Sequence, residues 1–278
     1  LVILGCVNVI ADEMNPARVA ALRLGMGEDT VAFTVQINCG SGMQSIDTGY
    51  RMIADGSAEL ILAGGAEALS HAPLVLREGA VEWYANLARA KSPMDKARQF
   101  GNLQTDFFKP VIGLERGLTD PITDLNMGQT AEILAYRFNI SREEADRYAL
   151  ESHKRLYAAQ ENGTLDQEVE TAFDRDGAVY RKDDGVRPDT SVEKLATLDP
   201  VFEKPYGKVT AGNSSQITDG AYWVILASEM AVEAHGLEPI ARIVDSQWAG
   251  LDPSIMGLGP VLASPPLAQR HGLACDDI

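Results

Sequence analysis

The pattern that most constrains this chain is an alternation of strand, helix and strand close to its start. VAFTVQIN (31–38) is apolar and β-branched, GSGMQSIDTGYRMIADG (40–56) has helical spacing, and AELILAGG (58–65) is again a buried-strand run. Two strands joined through one helix by short connections form a βαβ unit, hence a parallel sheet covered by helices. Met43, Ile46, Tyr50 and Ile53 fall on one stripe of the middle helix and are expected to face that sheet.

Further along, start and stop signals delimit other helices. Asn15-Pro16 supplies a cap and a first-turn proline for a helix over 17–24, with Gly25 ending it. Ser141-Arg142-Glu143-Glu144 is a capping box opening a helix that runs to about Asn162-Gly163, and MGQTAEILAYRFN (127–139) is an amphipathic helix before it. Residues 174–205 are mostly polar loop. AYWVILAS (221–228) is strand-like, Ser228 caps a short helix ending at Gly236, and PIARIVDSQWAG (239–250) reads as the opening strand of another α/β unit.

Charge shows how these pieces are grouped. The 278 residues carry 24 Lys+Arg against 40 Asp+Glu, a net charge of −16 that argues against nucleic acid as a partner. The bases are unevenly spread: 18 of the 24 lie within 78–215. That distribution suggests a solvated subdomain inserted between pieces of a core, bounded as 1–77, 78–215, 216–238 and 239–278. Cys6, Cys39 and Cys275 form neither a disulfide framework nor a cysteine metal site, so no metal is expected and the default setting is reducing and intracellular. LVILGCVNVI at the start lacks an initiator Met and a basic leader, and reads as a strand entered within a longer protein.

Cys39 stands where the strand ends and the helix begins. The positive end of the helix dipole favours a thiolate there, and Gly40 and Gly42 let backbone amides approach a reacting carbonyl. This is the setting of an activated nucleophile. Two other readings use the same residues. One is a cysteine acting as a small core hydrophobe. The other is a dinucleotide fingerprint with Glu59 or Glu67 as ribose ligand, for which two glycines are weak support.

Several blocks, in order, resemble the thiolases. VNVIADEMNPARVAALRLGM and INCGSGMQSIDTGYRMIADGSAELILAGGAEALSHAP are similar to the family's segments before and around its nucleophile. MGQTAE (127–132), DGVRP (184–188) and FEKPYGKVTAGNSSQITDGA (202–221) resemble its loop domain and the return to the core. KPYGKVTAGNSS and DDGVRPDTSVEKLATLDPVF are most similar to the fatty-acid-oxidation branch, including thiolase subunits of trifunctional complexes. The resemblance implies a layered αβαβα fold with an inserted, mainly helical loop domain, incomplete at both ends.

Matched position by position, the resemblance gives Cys39 as the nucleophile that becomes acylated. Arg187 lies against the coenzyme A nucleotide, Ala211 and Ser215 sit beside the pantetheine arm, and Met127 lines the acyl pocket. Coenzyme A is then a co-substrate, with no covalently bound cofactor. Asn126 stands where many short-chain biosynthetic members carry His, which argues against a purely acetoacetyl-CoA role. His71, His153, His235 and His271 match no catalytic histidine of the family. Its Asn-Glu-Ala-Phe, Gly-His-Pro and Cys-x-Gly segments are expected beyond Ile278, so the polypeptide as written is expected to turn over negligibly.

The function implied is a 3-ketoacyl-CoA thiolase, an acetyl-CoA C-acyltransferase of fatty-acid β-oxidation. It would be a cytoplasmic homodimer or tetramer, with a mitochondrial setting open and a hydratase/dehydrogenase subunit as a further partner. The alternatives are an acetoacetyl-CoA-forming thiolase, another condensing enzyme, or a non-catalytic lipid carrier in which Cys39 is inert.

Overall fold

The computed structural model describes residues 1–174 and 176–277; Arg175, Ile278 and the side chain of Cys275 lie outside the described set. The elements in chain order are β1 (Val2–Gly5), α1 (Pro16–Arg23), β2 (Ala32–Val35), α2 (Ser41–Ala54), β3 (Leu60–Ala68), β4 (Leu74–Val75), α3 (Glu78–Arg89), α4 (Pro93–Gly101), β5 (Val111–Ile112) and α5 (Gly113–Gly117). There follow α6 (Met127–Arg137), α7 (Arg142–Glu161), β6 (Ala172–Phe173), β7 (Val179–Tyr180), α8 (Val192–Ala196), β8 (Asp219–Ala227), α9 (Glu229–His235) and α10 (Gly259–Arg270). No helix among the described residues is long and apolar enough to cross a membrane.

The main sheet has the order β2-β1-β3-β8. β1 is parallel to both β2 and β3, as the βαβ pattern requires, and β8 returns antiparallel against the whole length of β3. Alternation along the strands sends side chains to both faces. Val2 and Leu4 pack with Ala17 and Ala21 of α1, while Ile3, Ile61 and Ala63 pack with Ile46, Met52 and Ile53 of α2. One sheet is therefore covered by a helix on each face, a mixed α/β architecture.

Capping signals place the helix starts closely. The Asn15 side chain accepts from the Arg18 amide, Pro16 opens α1, and Gly25 follows in the left-handed region at φ 73°. Reciprocal capping boxes open α6 from Asn126 and Gln129, and α7 from Ser141 and Glu144. Ser228 caps α9 and Gly236, at φ 60°, ends it.

Two expectations change. Of the stripe on α2, Ile46 and Ile53 pack against the sheet, Met43 is 69% exposed, and the most deeply buried positions of the helix are Ser41, Ser45, Asp47 and Gly49. Gly5 at the end of β1 and Gly65 in β3 let the first turn of α2 come close to the sheet, where a Cβ on Gly5 would meet the Ser41 carbonyl and one on Gly65 would approach Gly42. The run 239–250 is not a strand, because neither sheet edge pairs with it among the described residues. It is held by side chains of α2 instead: the Tyr50 hydroxyl donates to Val244 O at 3.1 Å, and Arg51 donates to Ser246 Oγ at 3.0 Å.

Contacts divide the chain into two units, Leu1–Leu118 with Ile217–Gln247, and Thr119–Gln216 with Trp248–Ile278. The α3–α4 excursion belongs to the first unit, and β4 pairs with β5 at its two ends. Residues 239–247 stay with the first unit through their bonds to α2.

Candidate active site

In the first unit, the chain leaves β2 and turns sharply into α2 at Cys39. Asn38 takes the left-handed conformation at φ 52°, which asparagine tolerates better than most residues, and Ile37 and Cys39 form a bridge around it. Ser41 locks the turn: its hydroxyl accepts from the Ile37 amide at 2.9 Å and donates to Asn38 O at 2.6 Å. Gly40 N donates back to Ile37 O at 3.2 Å. The thiol of Cys39, on the first residues before the helix, is exposed. The core-hydrophobe reading therefore fails on burial.

The platform beneath Cys39 is made of glycine. A Cβ on Gly5 would collide with the carbonyl of Ser41 and the nitrogen of Gly42, and one on Gly42 would collide with the Tyr222 hydroxyl. The first turn of α2 thus rests directly on the ends of β1, β3 and β8. The fully buried Ser45 hydroxyl lies 2.7 Å from the carbonyl oxygens of both Gly42 and Gly64, pinning the turn to β3. Burial pushes the Tyr222 phenol up from its ordinary value, so it stays protonated beside the helix start.

Glu67, one of the two acids offered for the dinucleotide reading, is committed to a loop, while Glu59 is exposed just before β3. The Glu67 carboxylate accepts from the Val7 and Asn8 amides, each at 2.9 Å, and closes the loop after β1. Cys6 lies 4.0 Å from it; burial first, then the charge of Glu67, push that thiol up. Cys6 is 8% exposed and belongs to the core.

The histidines divide as follows. His71 Nδ1 lies 2.9 Å from the Ser70 hydroxyl, which donates to Asp219; the Ser70 amide also donates to Asp219, at 2.8 Å. The serine stands between histidine and carboxylate, so the imidazole is not aligned by an acid as a general base is. These Ser70 bonds, with a smaller contribution from His71, hold the Asp219 carboxyl below the usual range. A depressed folded value gives a contribution to stability that is full above the unfolded value of about 3.9. It is lost as pH falls through the lower folded value. An NMR titration is expected to show the Ser70 amide shifting only below the pH at which an ordinary aspartate titrates. His235 lies in the last turn of α9 and His271 is the C-cap of α10.

The other four expected site residues belong to the second unit. Met127, half-buried, opens α6; Arg187, Ala211 and Ser215 are exposed on loops. Gln216 Nε2 donates to Gly185 O at 2.7 Å and so joins the loop carrying Arg187 to the one carrying Ser215. His153, set aside at the sequence level, accepts from the Arg187 amide at 3.2 Å from its place on α7. Its spacing from Arg187 gave no signal. Several bases of this unit are paired with nearby acids, as with Arg147–Glu143, Arg155–Glu151 and Lys194–Asp189. Among the described residues Arg187 makes no salt bridge.

The first unit thus presents an exposed cysteine at a helix start on a mixed α/β sheet. The family model "Thiolase, N-terminal domain" matches residues 1–230, and the chain belongs to the thiolase family. It is 40% identical over 271 residues to the mitochondrial 3-ketoacyl-CoA thiolase of Rattus norvegicus, covering 96% of this chain and 63% of that protein. A probable acetyl-CoA acyltransferase of Staphylococcus epidermidis is 36% identical over 281 residues, covering 100% of this chain and 66% of that protein. The crystal structure of human mitochondrial 3-ketoacyl-CoA thiolase in complex with CoA superposes with a TM-score of 0.85 at 39% identity, covering 100% of this chain and 65% of that one. The chain thus spans 63% of the length of the rat relative.

Proposed function

We propose that this chain carries the nucleophile and the coenzyme A contacts of a 3-ketoacyl-CoA thiolase acting in the degradative direction. The observation that supports it best is the exposed Cys39, held at the start of α2 by Asn38, Ser41 and the glycine platform. The Cys39 thiolate adds to the C3 carbonyl of a 3-ketoacyl-CoA. The C2–C3 bond then breaks, its electron pair staying on C2 until a proton arrives there, and acetyl-CoA departs. The shortened acyl group remains on sulfur as a thioester. The thiolate of a second coenzyme A adds to that thioester, expels Cys39 and leaves as acyl-CoA. Dividing the cleavage across a covalent intermediate replaces one high barrier with two lower ones.

Arg187 would pair with the phosphates of the nucleotide, Ala211 and Ser215 would border the pantetheine arm, and Met127 would line the acyl chain. The similarity to 3-ketoacyl-CoA thiolases supports the thiolytic substrate class, and Asn126 in place of histidine supports the degradative branch. The reading extends to a cytoplasmic homo-oligomer that works beside a hydratase/dehydrogenase subunit. Incubation with a 3-ketoacyl-CoA followed by peptide mass spectrometry is expected to find the shortened acyl group on Cys39. Acylation only at Cys6 or Cys275 would refute the proposal.

A further inference from the structure

Two buried carboxylates of the second unit have no part in the chemistry described so far, and both point at one loop. Glu132 on α6 is 4% exposed, and Asp146 on α7 is 1% exposed. The Glu132 carboxylate accepts from the Lys208 amide with both oxygens, at 2.8 and 2.9 Å, and from the Val209 amide at 2.8 Å. Gly207 passes so close that a Cβ there would come within 2.6 Å of Glu132 Oε1. Asp146 accepts from Asn213 Nδ2 at 2.9 Å and pairs with Arg142 at 2.7 Å. Arg142 in turn donates to the carbonyls of Leu195 and Leu198.

Asn213 carries the constraint into the loop. It accepts from the Thr210 amide at 2.8 Å and donates to Lys208 O at 2.9 Å. Ser214 Oγ then donates to Thr210 O at 2.6 Å, and the wholly buried Thr210 accepts from Gly212 N at 3.2 Å. Every turn of 207–214 is therefore referred to one carboxylate on each of two helices, while Ala211 and Ser215 stay exposed. Burying two acids is costly, and a loop needing only to be closed could be closed by neutral groups. Acceptor-only carboxylates facing backbone N–H donors hold one loop conformation and no other.

We infer that Glu132 and Asp146 are positioning residues that set the 207–215 loop for coenzyme A, a role that rests on the function proposed above. Neither touches the ligand; they act through the backbone of Lys208 and Val209 and through Asn213.

The test uses two variants and two readouts. Glu132→Leu removes both acceptor oxygens from the Lys208 and Val209 amides, and Asn213→Ala removes the link to Asp146 without disturbing either helix. Hydrogen exchange at Lys208 and Val209 is expected to quicken about tenfold or more in Glu132→Leu, because an unmade bond frees the amide. Exchange in α7 and alkylation of Cys39 are expected to stay unchanged in both variants. Coenzyme A affinity is expected to fall about tenfold in both, as a small displacement of a positioning element suffices for that. Unchanged exchange at Lys208 and Val209 overturns the positioning role whatever happens to binding. Faster exchange with unaltered affinity overturns the link to the ligand. If the unaltered chain itself binds no coenzyme A, the proposed function fails and takes that link with it, while the exchange result still decides whether the carboxylates hold the loop.

Discussion

Gly5→Ala is expected to destabilise the first unit by about 3 kcal/mol or more, because the added methyl meets backbone and no side chain can move aside. The colliding atoms are the Ser41 carbonyl and the Gly42 nitrogen at the start of α2. β1 cannot yield, since it is paired on both sides, with Gly5 opposite Val35 and Gly65. The strain must fall on the turn that carries Cys39, so whatever folded protein remains is expected to acylate slowly. Gly25→Ala is the control: its φ of 73° penalises a side chain, but nothing lies within 4 Å. About 1–2 kcal/mol is expected there, with Cys39 unaffected. Urea unfolding of both variants gives the comparison, and equal losses would show that conformation, not close approach, decides the effect at Gly5.

Cys39→Ala is expected to remove the acyl group that a 3-ketoacyl-CoA leaves on the chain, since the proposed thioester forms on that sulfur. Its stability is expected to stay within about 0.5 kcal/mol of the parent, because the side chain is exposed and holds nothing together. Cys6→Ala should behave oppositely. That thiol is 8% exposed beside the end of β1, so its loss should weaken the fold and spare the acylation. The pair separates a chemical from a structural role, and a stable Cys39→Ala variant that still takes up the acyl group would remove the basis of the proposed function.

Local chemistry explains which parts were legible from sequence. Asn15-Pro16, the Ser141 capping box and Ser228 with Gly236 are bonds within a few residues, so the residues that make them lie side by side in the chain. Cys39 was legible for the same reason, being a strand end followed at once by a helix. Long-range contacts were not. The 239–250 run has strand composition, but a strand needs a partner, and Tyr50 and Arg51 hold this segment by side chains instead. Ser41 is buried at the start of α2 because Gly5 and Gly65, on two different strands, bring the first turn of the helix against the sheet. Glu132 and Asp146 looked like ordinary helix-surface acids. Their partners at Lys208, Val209 and Asn213 are far along the chain, and no periodicity encodes that pairing.

The account depends on Cys39 being a presented, ligand-shielded thiol, and competitive alkylation tests that most directly. Iodoacetamide is added over a range of pH with and without acyl-CoA, and the peptides bearing Cys6, Cys39 and Cys275 are quantified separately. Cys39 is expected to react far faster than Cys6, whose thiol is buried and pushed up beside Glu67, and acyl-CoA is expected to protect Cys39 alone. A Cys39 that reacts as slowly as Cys6 and ignores acyl-CoA would contradict the account and favour the non-catalytic lipid carrier.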